Sequence, residues 1–167
     1  MYKVVSIFAL ASLGAVMGAT LLNGNNPADP NKQYFVQTAT PEIAPKVTAI
    51  TADDTGHFNV AALVNGSYTD MVADTGATLV VLTEDDAMRA GIEPGWLEFN
   101  TPVRTANGET MTARITLEDV QVGGITLHDV DALIARPGDL QVSLLGMSFI
   151  GRLRSFELKG DQLVLNY

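Results

Sequence analysis

The segment from Met71 to Val81 places a carboxylate, a hydroxyl and a glycine inside an apolar run. Asp74 follows apolar residues and precedes others, so we expect it where a buried strand breaks. A carboxylate in such a place has either a partner or a chemical role, because an unpaired buried charge is costly or shifts its pKa. Thr75 offers a short hydroxyl, and Gly76 lets the backbone turn closely behind the carboxylate. Proton transfer is the chemistry open to Asp74, and the alternative is an ordinary Asx turn between two strands.

The same Asp-Thr-Gly tripeptide occurs a second time, at residues 54–56. Residues 52–53 before it and 57–58 after it include no apolar run that could bury it. We therefore predict a plain turn at Asp54, and Asp74 is the carboxylate that we expect to carry chemistry.

Composition excludes several classes of protein. The chain has 167 residues, 47% of them hydrophobic, which fits one domain of moderate size. Its formal charge of −9 repels phosphates and argues against a nucleic-acid partner. The absence of cysteine excludes disulfides, thiolate nucleophiles and cysteine-based zinc sites. With only two histidines, His57 and His128, a histidine-rich metal site is not expected, and we predict no metal and no organic cofactor.

The N-terminal part predicts a membrane anchor. Residues 4–22 carry no charge and are numerous enough to cross a bilayer as a helix. A cleaved secretory signal is the alternative, although its apolar region is usually shorter. Positive charge lies at Lys3 and is then missing until Lys32, which predicts a cytoplasmic N-terminus with the rest of the chain outside. We thus predict an anchor over residues 1–22, a Pro/Asn-rich tether over 23–46 and a folded domain over 47–167.

Turn signals divide the predicted domain into short strands. Asn65-Gly66 indicates a hairpin between residues 58–64 and 68–73, and it delivers Asp74 at its far end. Further hairpins are expected at Asn107-Gly108, and at Gly123-Gly124 between residues 114–122 and 125–135. The last two strands are predicted at 156–158 and 163–165, around residues 159–161. This pattern is typical of a compact, barrel-like β domain.

Two short helices are predicted within it. Thr83 is a good N-cap for a helix running to Ala90, with acidic residues in its first turn and Gly91 just past its end. A second helix is predicted to open at residues 144–146 and to run through Leu153.

Four segments together carry a resemblance to a known family, in chain order Ala73-Asp74-Thr75-Gly76-Ala77-Thr78, the short helix ending near Gly91, the Asn107-Gly108 hairpin, and Leu144-Leu145-Gly146-Met147-Ser148-Phe149. They resemble the retropepsin-like aspartic proteases, specifically the membrane-anchored bacterial members. The resemblance implies a mainly β fold, a closed barrel forming a single lobe with a short helix.

The resemblance also implies roles for the residues that match. Asp74 would be catalytic, in an active-site loop supported by Thr75, Gly76 and Ala77. The element packed under this loop would be Leu144, Leu145 and Gly146. By its order in the chain, the mobile flap over the substrate would be Ala106, Asn107, Gly108 and Glu109.

A domain of about 110 residues has room for one lobe, so the second catalytic carboxylate would come from a second copy of the chain in a homodimer. The implied function is an aspartic endopeptidase that cleaves a protein or peptide with a water activated by two Asp74 residues. Its place would be the bacterial inner membrane, single-pass, with the catalytic domain on the periplasmic side.

Two alternatives remain open at this stage: a retropepsin-like domain that binds peptides or an envelope partner without cutting them, and a structural domain in which Asp74 only caps a turn. A serine hydrolase is disfavoured, because residues 146–150 lack the final glycine of the Gly-x-Ser-x-Gly motif.

Overall fold

The computed structural model describes residues 45–105 and 108–167. Within these ranges the chain is mainly β, with two short helices and one turn of 3-10 helix. The strands are β1 (Val47–Thr51), β2 (Asn59–Val64), β3 (Ser67–Ala73), β4 (Val80–Leu82), β5 (Thr101–Thr105), β6 (Gly108–Val122), β7 (Ile125–Ile134), β8 (Ser143–Leu145), β9 (Ser155–Lys159) and β10 (Gln162–Asn166). The helices are α1 (Glu84–Arg89) and α2 (Met147–Ile150), and the 3-10 turn is Pro94–Trp96.

Six strands close into a barrel, in the order β2, β3, β8, β4, β7 and β6, with β6 pairing back onto β2. Two of these pairings are parallel, β3 with β8 and β4 with β7, and the others are antiparallel. Strand β5 pairs with β6 alone and extends the sheet beyond the barrel. The expectation of a mainly β, closed barrel is confirmed.

The barrel core follows from the two-residue alternation of its strands. Along β2, alternate residues Val60, Ala62 and Val64 are buried, which is the pattern of a strand with one face on a core. Helix α2 adds two fully buried side chains, Phe149 and Ile150. The core is therefore continuous beneath both the barrel strands and this helix.

The first hairpin forms as its turn residues predict. Asn65 and Gly66 both have positive φ angles, 47° and 79°, as a two-residue type I′ turn requires. The predicted helix is also confirmed: the Thr83 hydroxyl caps α1 by accepting a hydrogen bond from the Asp86 N–H, and Gly91 follows with a φ of 79°.

Two predictions for the second half of the chain need correction. Strand β6 is continuous, so a single strand serves both the Asn107-Gly108 and the Gly123-Gly124 hairpins. The predicted helix over 144–153 is shorter, because residues 143–145 form β8 and α2 covers only 147–150. Insertion of β8 between β3 and β4 satisfies its backbone groups and buries Leu145, so tertiary pairing overrides the local helical pattern.

A second, three-stranded sheet joins the two ends of the domain, in the order β1, β10, β9. Its central strand buries Leu163 and Leu165, and Ile50 of β1 lies against them. At its end, Lys46 and Tyr167 exchange two backbone hydrogen bonds of 3.1 and 2.9 Å. We name β1, β10 and β9 the terminal sheet.

The predicted anchor over 1–22 and nearly all of the predicted tether over 23–46 lie outside the described residues. In the ranges 45–105 and 108–167, neither helix is long and apolar enough to cross a membrane.

Candidate active site

Asp74 lies directly after β3, where the strand leaves the barrel. Two backbone hydrogen bonds fix this point from both sides: the Ala73 N–H donates to the Phe58 carbonyl at 2.9 Å, and the Asp74 N–H donates to the Leu145 carbonyl at 3.0 Å. The main chain beneath the carboxylate is therefore held between Phe58, which precedes β2, and Leu145 of β8.

The loop folds around its own carboxylate. The Gly76 N–H donates to Asp74 Oδ1 at 2.8 Å, and the Ala77 N–H donates to the Asp74 carbonyl at 3.2 Å. A Cβ atom at Gly76 would lie 3.1 Å from Oδ1, so glycine leaves room for the carboxylate at this position. Asp74 is half-buried, whereas Thr75 is exposed. Oδ2 accepts no hydrogen bond from any described residue, and it is free for a ligand or a second carboxyl group.

Gly146 lies against the backbone of this loop. A Cβ atom there would lie 2.0 Å from the Leu79 carbonyl oxygen and 2.8 Å from that of Ala77. The next residue, Met147, donates its N–H to the Ala77 carbonyl at 2.8 Å. The segment predicted to support the loop, Leu144 to Gly146, is thus in contact with it.

Ser148 contributes a support that the sequence did not reveal. Its hydroxyl accepts a hydrogen bond of 2.8 Å from the Val80 N–H, which ties α2 to the strand that follows the loop. In the sequence this serine belongs to an incomplete nucleophile motif and to the late segment that carries the resemblance, and neither gave its hydroxyl a supporting role. The structure gives its hydroxyl a partner in the loop support.

A cleft of about 710 Å³ opens in front of Asp74. The loop and barrel sides of its lining are Asp74, Gly76, Ala77, Thr78, Leu79, Val81, Arg114, Leu133, Ala135, Asp139, Leu140 and Leu144. The β5–β6 hairpin borders the other side with Thr101, Pro102, Val103, Arg104, Thr105, Thr110 and Thr112. Apolar side chains are frequent on the barrel side, and hydroxyl groups are frequent on the hairpin side.

The hairpin occupies the place of the predicted flap. Of the four residues predicted for it, Ala106 and Asn107 lie outside the described ranges, and Gly108 and Glu109 are exposed at the start of β6. The Thr105 hydroxyl donates to the Gly108 carbonyl at 3.0 Å across the turn. The hairpin borders the cleft, and a flap function for it stays a prediction.

Comparison with known proteins connects this geometry to a family. A family model described as "gag-polyprotein putative aspartyl protease" matches residues 60–152, which cover the Asp74 loop, the cleft and Gly146. The chain belongs to this family of aspartyl proteases.

Solved structures agree with the family assignment. A retropepsin-like aspartic protease from Rickettsia conorii superimposes with a TM-score of 0.67 and 35% identity, over 74% of this chain and 92% of that one. The EIAV protease, solved with the inhibitor HBY-793, superimposes with a TM-score of 0.53 and 21% identity, over 66% of this chain and all of that one. The second similarity is one of fold alone.

Two curated relatives are uncharacterised bacterial proteins. One, from Sinorhizobium sp., is 40% identical over 110 residues, which are 66% of this chain and 47% of the relative. The other, from Rickettsia prowazekii (strain Madrid E), is 37% identical over 112 residues, which are 67% and 48% of the two chains. The chain therefore spans about half the length of the curated relatives that it matches.

In the retropepsin-like lobe, a hydrogen bond joins the hairpin to the opposite rim of the cleft. The Thr110 hydroxyl donates to Asp139 Oδ2 at 2.5 Å, and both residues line the cleft. Sequence reasoning missed this contact, because Asp139 lies in an exposed loop with no pattern that relates it to β6. We name this hydrogen bond the rim contact.

The second Asp-Thr-Gly copy of the retropepsin-like lobe is a turn, as predicted, and its residues are not part of the cleft lining. Its organising carboxylate is Asp53, which accepts hydrogen bonds from the Thr55 hydroxyl at 2.6 Å and from the His57 N–H at 2.9 Å. Led by the Thr55 hydroxyl and the His57 N–H, these hydrogen bonds hold the pKa of Asp53 well below its usual range. Asp54 accepts none of them.

The one buried carboxylate among the described residues, Asp86, has a structural environment. It accepts hydrogen bonds from the hydroxyls of Thr83 and Ser143 and pairs with Arg89. These contacts tie α1 to β8, and Asp86 does not line the Asp74 cleft.

No group of three His, Asp or Glu side chains in the described ranges is arranged to hold a metal ion.

Proposed function

We propose that this domain is an aspartic endopeptidase in which Asp74 activates a water molecule for peptide hydrolysis. One observation carries the proposal: the Asp74 carboxylate lines a cleft of about 710 Å³, with Oδ1 held by the Gly76 N–H and Oδ2 accepting no hydrogen bond from any described residue. Membership of an aspartyl protease family supports the same chemistry.

The second carboxylate is proposed to come from another copy of the chain. The described lobe contains one loop in which an Asp-Thr-Gly tripeptide faces a cleft, and the other cleft carboxylate, Asp139, is engaged by Thr110. A two-fold axis beside Asp74 would bring the same loop from both copies together, as in an isologous homodimer. Thr75, exposed beside the carboxylate, is available to contact the partner loop.

Two adjacent carboxyl groups share one proton, because two negative charges so close repel each other. The ionised Asp74 takes a proton from the water, and the water oxygen bonds to the carbonyl carbon of the peptide. The protonated carboxyl group of the other copy gives its proton to the carbonyl oxygen. The tetrahedral species then collapses: the C–N bond breaks as the dyad gives a proton to the amine nitrogen and takes one from a hydroxyl of the tetrahedral carbon, so the dyad again holds one proton.

The lining of the cleft favours apolar side chains next to the cleaved bond. Leu79, Val81 and Leu144 lie around the loop, and Leu133 and Leu140 continue this surface along the barrel. Their burial against substrate would contribute binding free energy through the hydrophobic effect. The substrate we propose is an extended peptide or an unfolded protein segment.

The site of action we propose is the periplasmic face of a bacterial inner membrane. Support comes from the sequence alone: an uncharged stretch at residues 4–22 with positive charge on its N-terminal side. Anchoring would confine the domains to a surface and raise their effective concentration, which favours a dimer.

Subunit mixing tests the shared active site. Purified parent protein is mixed with Asp74→Asn protein, and the subunits are left to exchange between dimers. Cleavage of a peptide mixture is then measured by mass spectrometry. If each active site needs two Asp74 residues, activity per parent chain falls to about half at equal amounts and to about a tenth at ninefold excess of the variant. Unchanged activity per parent chain would show that one copy suffices, and no cleavage by the parent protein would favour a peptide-binding domain.

A further inference from the structure

Arg114 is a charged side chain that β6 turns toward the cleft. Side chains alternate between the two faces of a strand. Every second residue at this end of β6 lines the cleft, namely Thr110, Thr112 and Arg114, and those between them do not. Arg114 lies directly opposite Leu133 of β7, which lines the cleft as well. Arg114 therefore lies on the same wall of the cleft as this apolar surface.

The guanidinium of Arg114 has N–H donors that make no hydrogen bond within the described residues. Its Nη2 donates to Asp131 Oδ2 at 2.9 Å, and the two side chains are 59% and 46% exposed. No other hydrogen bond engages the Arg114 side chain within the described part of the chain. A guanidinium has five N–H donors in a planar fork that matches a carboxylate, so several of them remain available to a ligand.

We propose that Arg114 is a specificity-determining residue, which binds an acidic side chain, Asp or Glu, of the peptide substrate beside the apolar surface at Leu133. The proposal rests on the peptide-binding cleft of the proposed function. The chain as a whole carries a formal charge of −9 and repels acidic peptides. A preference for an acidic side chain at one position therefore needs a local cation, and Arg114 is that cation.

Arg104 is the other arginine that borders the cleft, and its register distinguishes it from Arg114. It lies opposite Glu109, which does not line the cleft, whereas its neighbour Val103 lies opposite the cleft residue Thr110. Arg104 thus has a carboxylate directly across from it on the neighbouring strand. We expect no contribution from Arg104 to this preference.

In the proposed homodimer, each copy would bring one Arg114. The two-fold axis would place these arginines at equal distances on either side of the cleaved bond. Acidic residues would then be favoured at two positions of the peptide, related by that symmetry.

Peptide binding to an Asp74→Asn protein tests the inference without relying on cleavage. The probes are short fluorescent peptides with an apolar pair at the centre and a single Glu, or its neutral isostere Gln, scanned through the flanking positions. At one position, or at a symmetric pair, we expect the Glu peptide to bind about three- to fivefold more tightly, a modest effect typical of a solvent-exposed charge pair.

Variants test whether this preference for Glu over Gln depends on Arg114. Arg114→Gln should remove it, and Arg114→Lys should retain part of it, because Lys keeps the charge but loses the fork. Asp131→Asn should widen it, since the competing carboxylate is gone. Arg154→Gln, away from the cleft, should leave it unchanged.

Several results would overturn the inference: equal or undetectable binding of Glu and Gln peptides at every position, a preference that survives in Arg114→Gln, or one that disappears in Arg104→Gln. The proposed function fails separately. If the preference depends on Arg114 but the parent protein does not cleave the same peptides, the proposed endopeptidase function is wrong and the inference about Arg114 stands. If the parent protein cleaves them with no preference that depends on Arg114, the endopeptidase function stands and the inference about Arg114 is wrong.

Discussion

Gly146 and Leu79 are so close that no side chain fits between them: a Cβ atom on Gly146 would lie 2.0 Å from the Leu79 carbonyl oxygen. The obstacle is backbone, and it belongs to the segment that leads from the Asp74 loop into β4. The position of the loop is therefore coupled to a glycine that is distant in the sequence.

Gly146→Ala should displace the loop or destabilise the domain, by about 1–3 kcal/mol or more, as overpacking does in a tightly packed region. Thermal unfolding and peptide cleavage of the purified domain measure the two effects. Gly95→Ala is the matched control, because a Cβ atom at Gly95 meets nothing within 4 Å. Similar losses in both variants would contradict the packing argument.

Asp74→Asn should abolish cleavage with little effect on stability, because the amide cannot act as the proton-transferring group. Asp54→Asn removes the same charge from the exposed copy of the tripeptide and should leave activity nearly unchanged. Steady-state cleavage and thermal unfolding of both variants decide the matter. Equal loss of activity in the two would refute the assignment.

Thr110→Val and Asp139→Asn each weaken the rim contact, whose donor and acceptor are 2.5 Å apart. We expect faster hydrogen exchange at the β6 end of the hairpin and a higher KM, because a looser hairpin must be ordered when substrate binds. Thr126→Val, on β7 and outside the cleft lining, is the control. If exchange at the hairpin is the same in all three variants, the contact has no role in holding it.

Asp53 predicts a pH dependence of stability. Because its pKa is lowered in the folded state, chiefly by the Thr55 hydroxyl, its contribution is present above the ordinary carboxyl pKa of about 4 and is lost as pH falls below that value. Asp53→Ala should therefore lower the unfolding temperature near neutral pH, with a difference that shrinks in acid. Asp54→Ala provides the comparison. A difference that grew in acid would have the wrong sign.

Cleavage activity should peak on the acidic side and fall at higher pH as the pair of Asp74 carboxyl groups loses its shared proton. The measurement is kcat/KM over a pH series in which the domain stays folded by circular dichroism. An activity that rises steadily into alkaline pH would indicate different chemistry.

Local chemistry in the sequence predicted several parts of this fold. The Asn65-Gly66 turn and the Thr83 cap act over a few residues, so their structures follow from residue type alone. The flanks of Asp74 distinguished it from Asp54 for the same reason. The apolar residues on both sides of Asp74 show in the sequence alone that a strand breaks at this carboxylate.

Long-range pairing was less predictable. The residues 143–145 form β8 because they fit between β3 and β4, far away in the sequence, and the apolar residues around them fit a helix equally well. The cleft-facing role of Arg114 depended on the register of β6 with β7. Apolar residue type alone does not locate the cleft: Met111, Ile115 and Ile134 lie on these same two strands, and none of them lines it.

The terminal sheet has a consequence for the order in which parts of the domain can fold during synthesis. β1 is the first described strand to leave the ribosome, yet its hydrogen-bonding partner β10 follows the entire barrel. During synthesis the backbone N–H and C=O groups of β1 have no β10 to pair with until every strand of the barrel has emerged. The sheet that joins the two ends of the domain can therefore form only after β10 has emerged, and loss of β10 would leave both β1 and β9 without a hydrogen-bonded neighbour among the described strands.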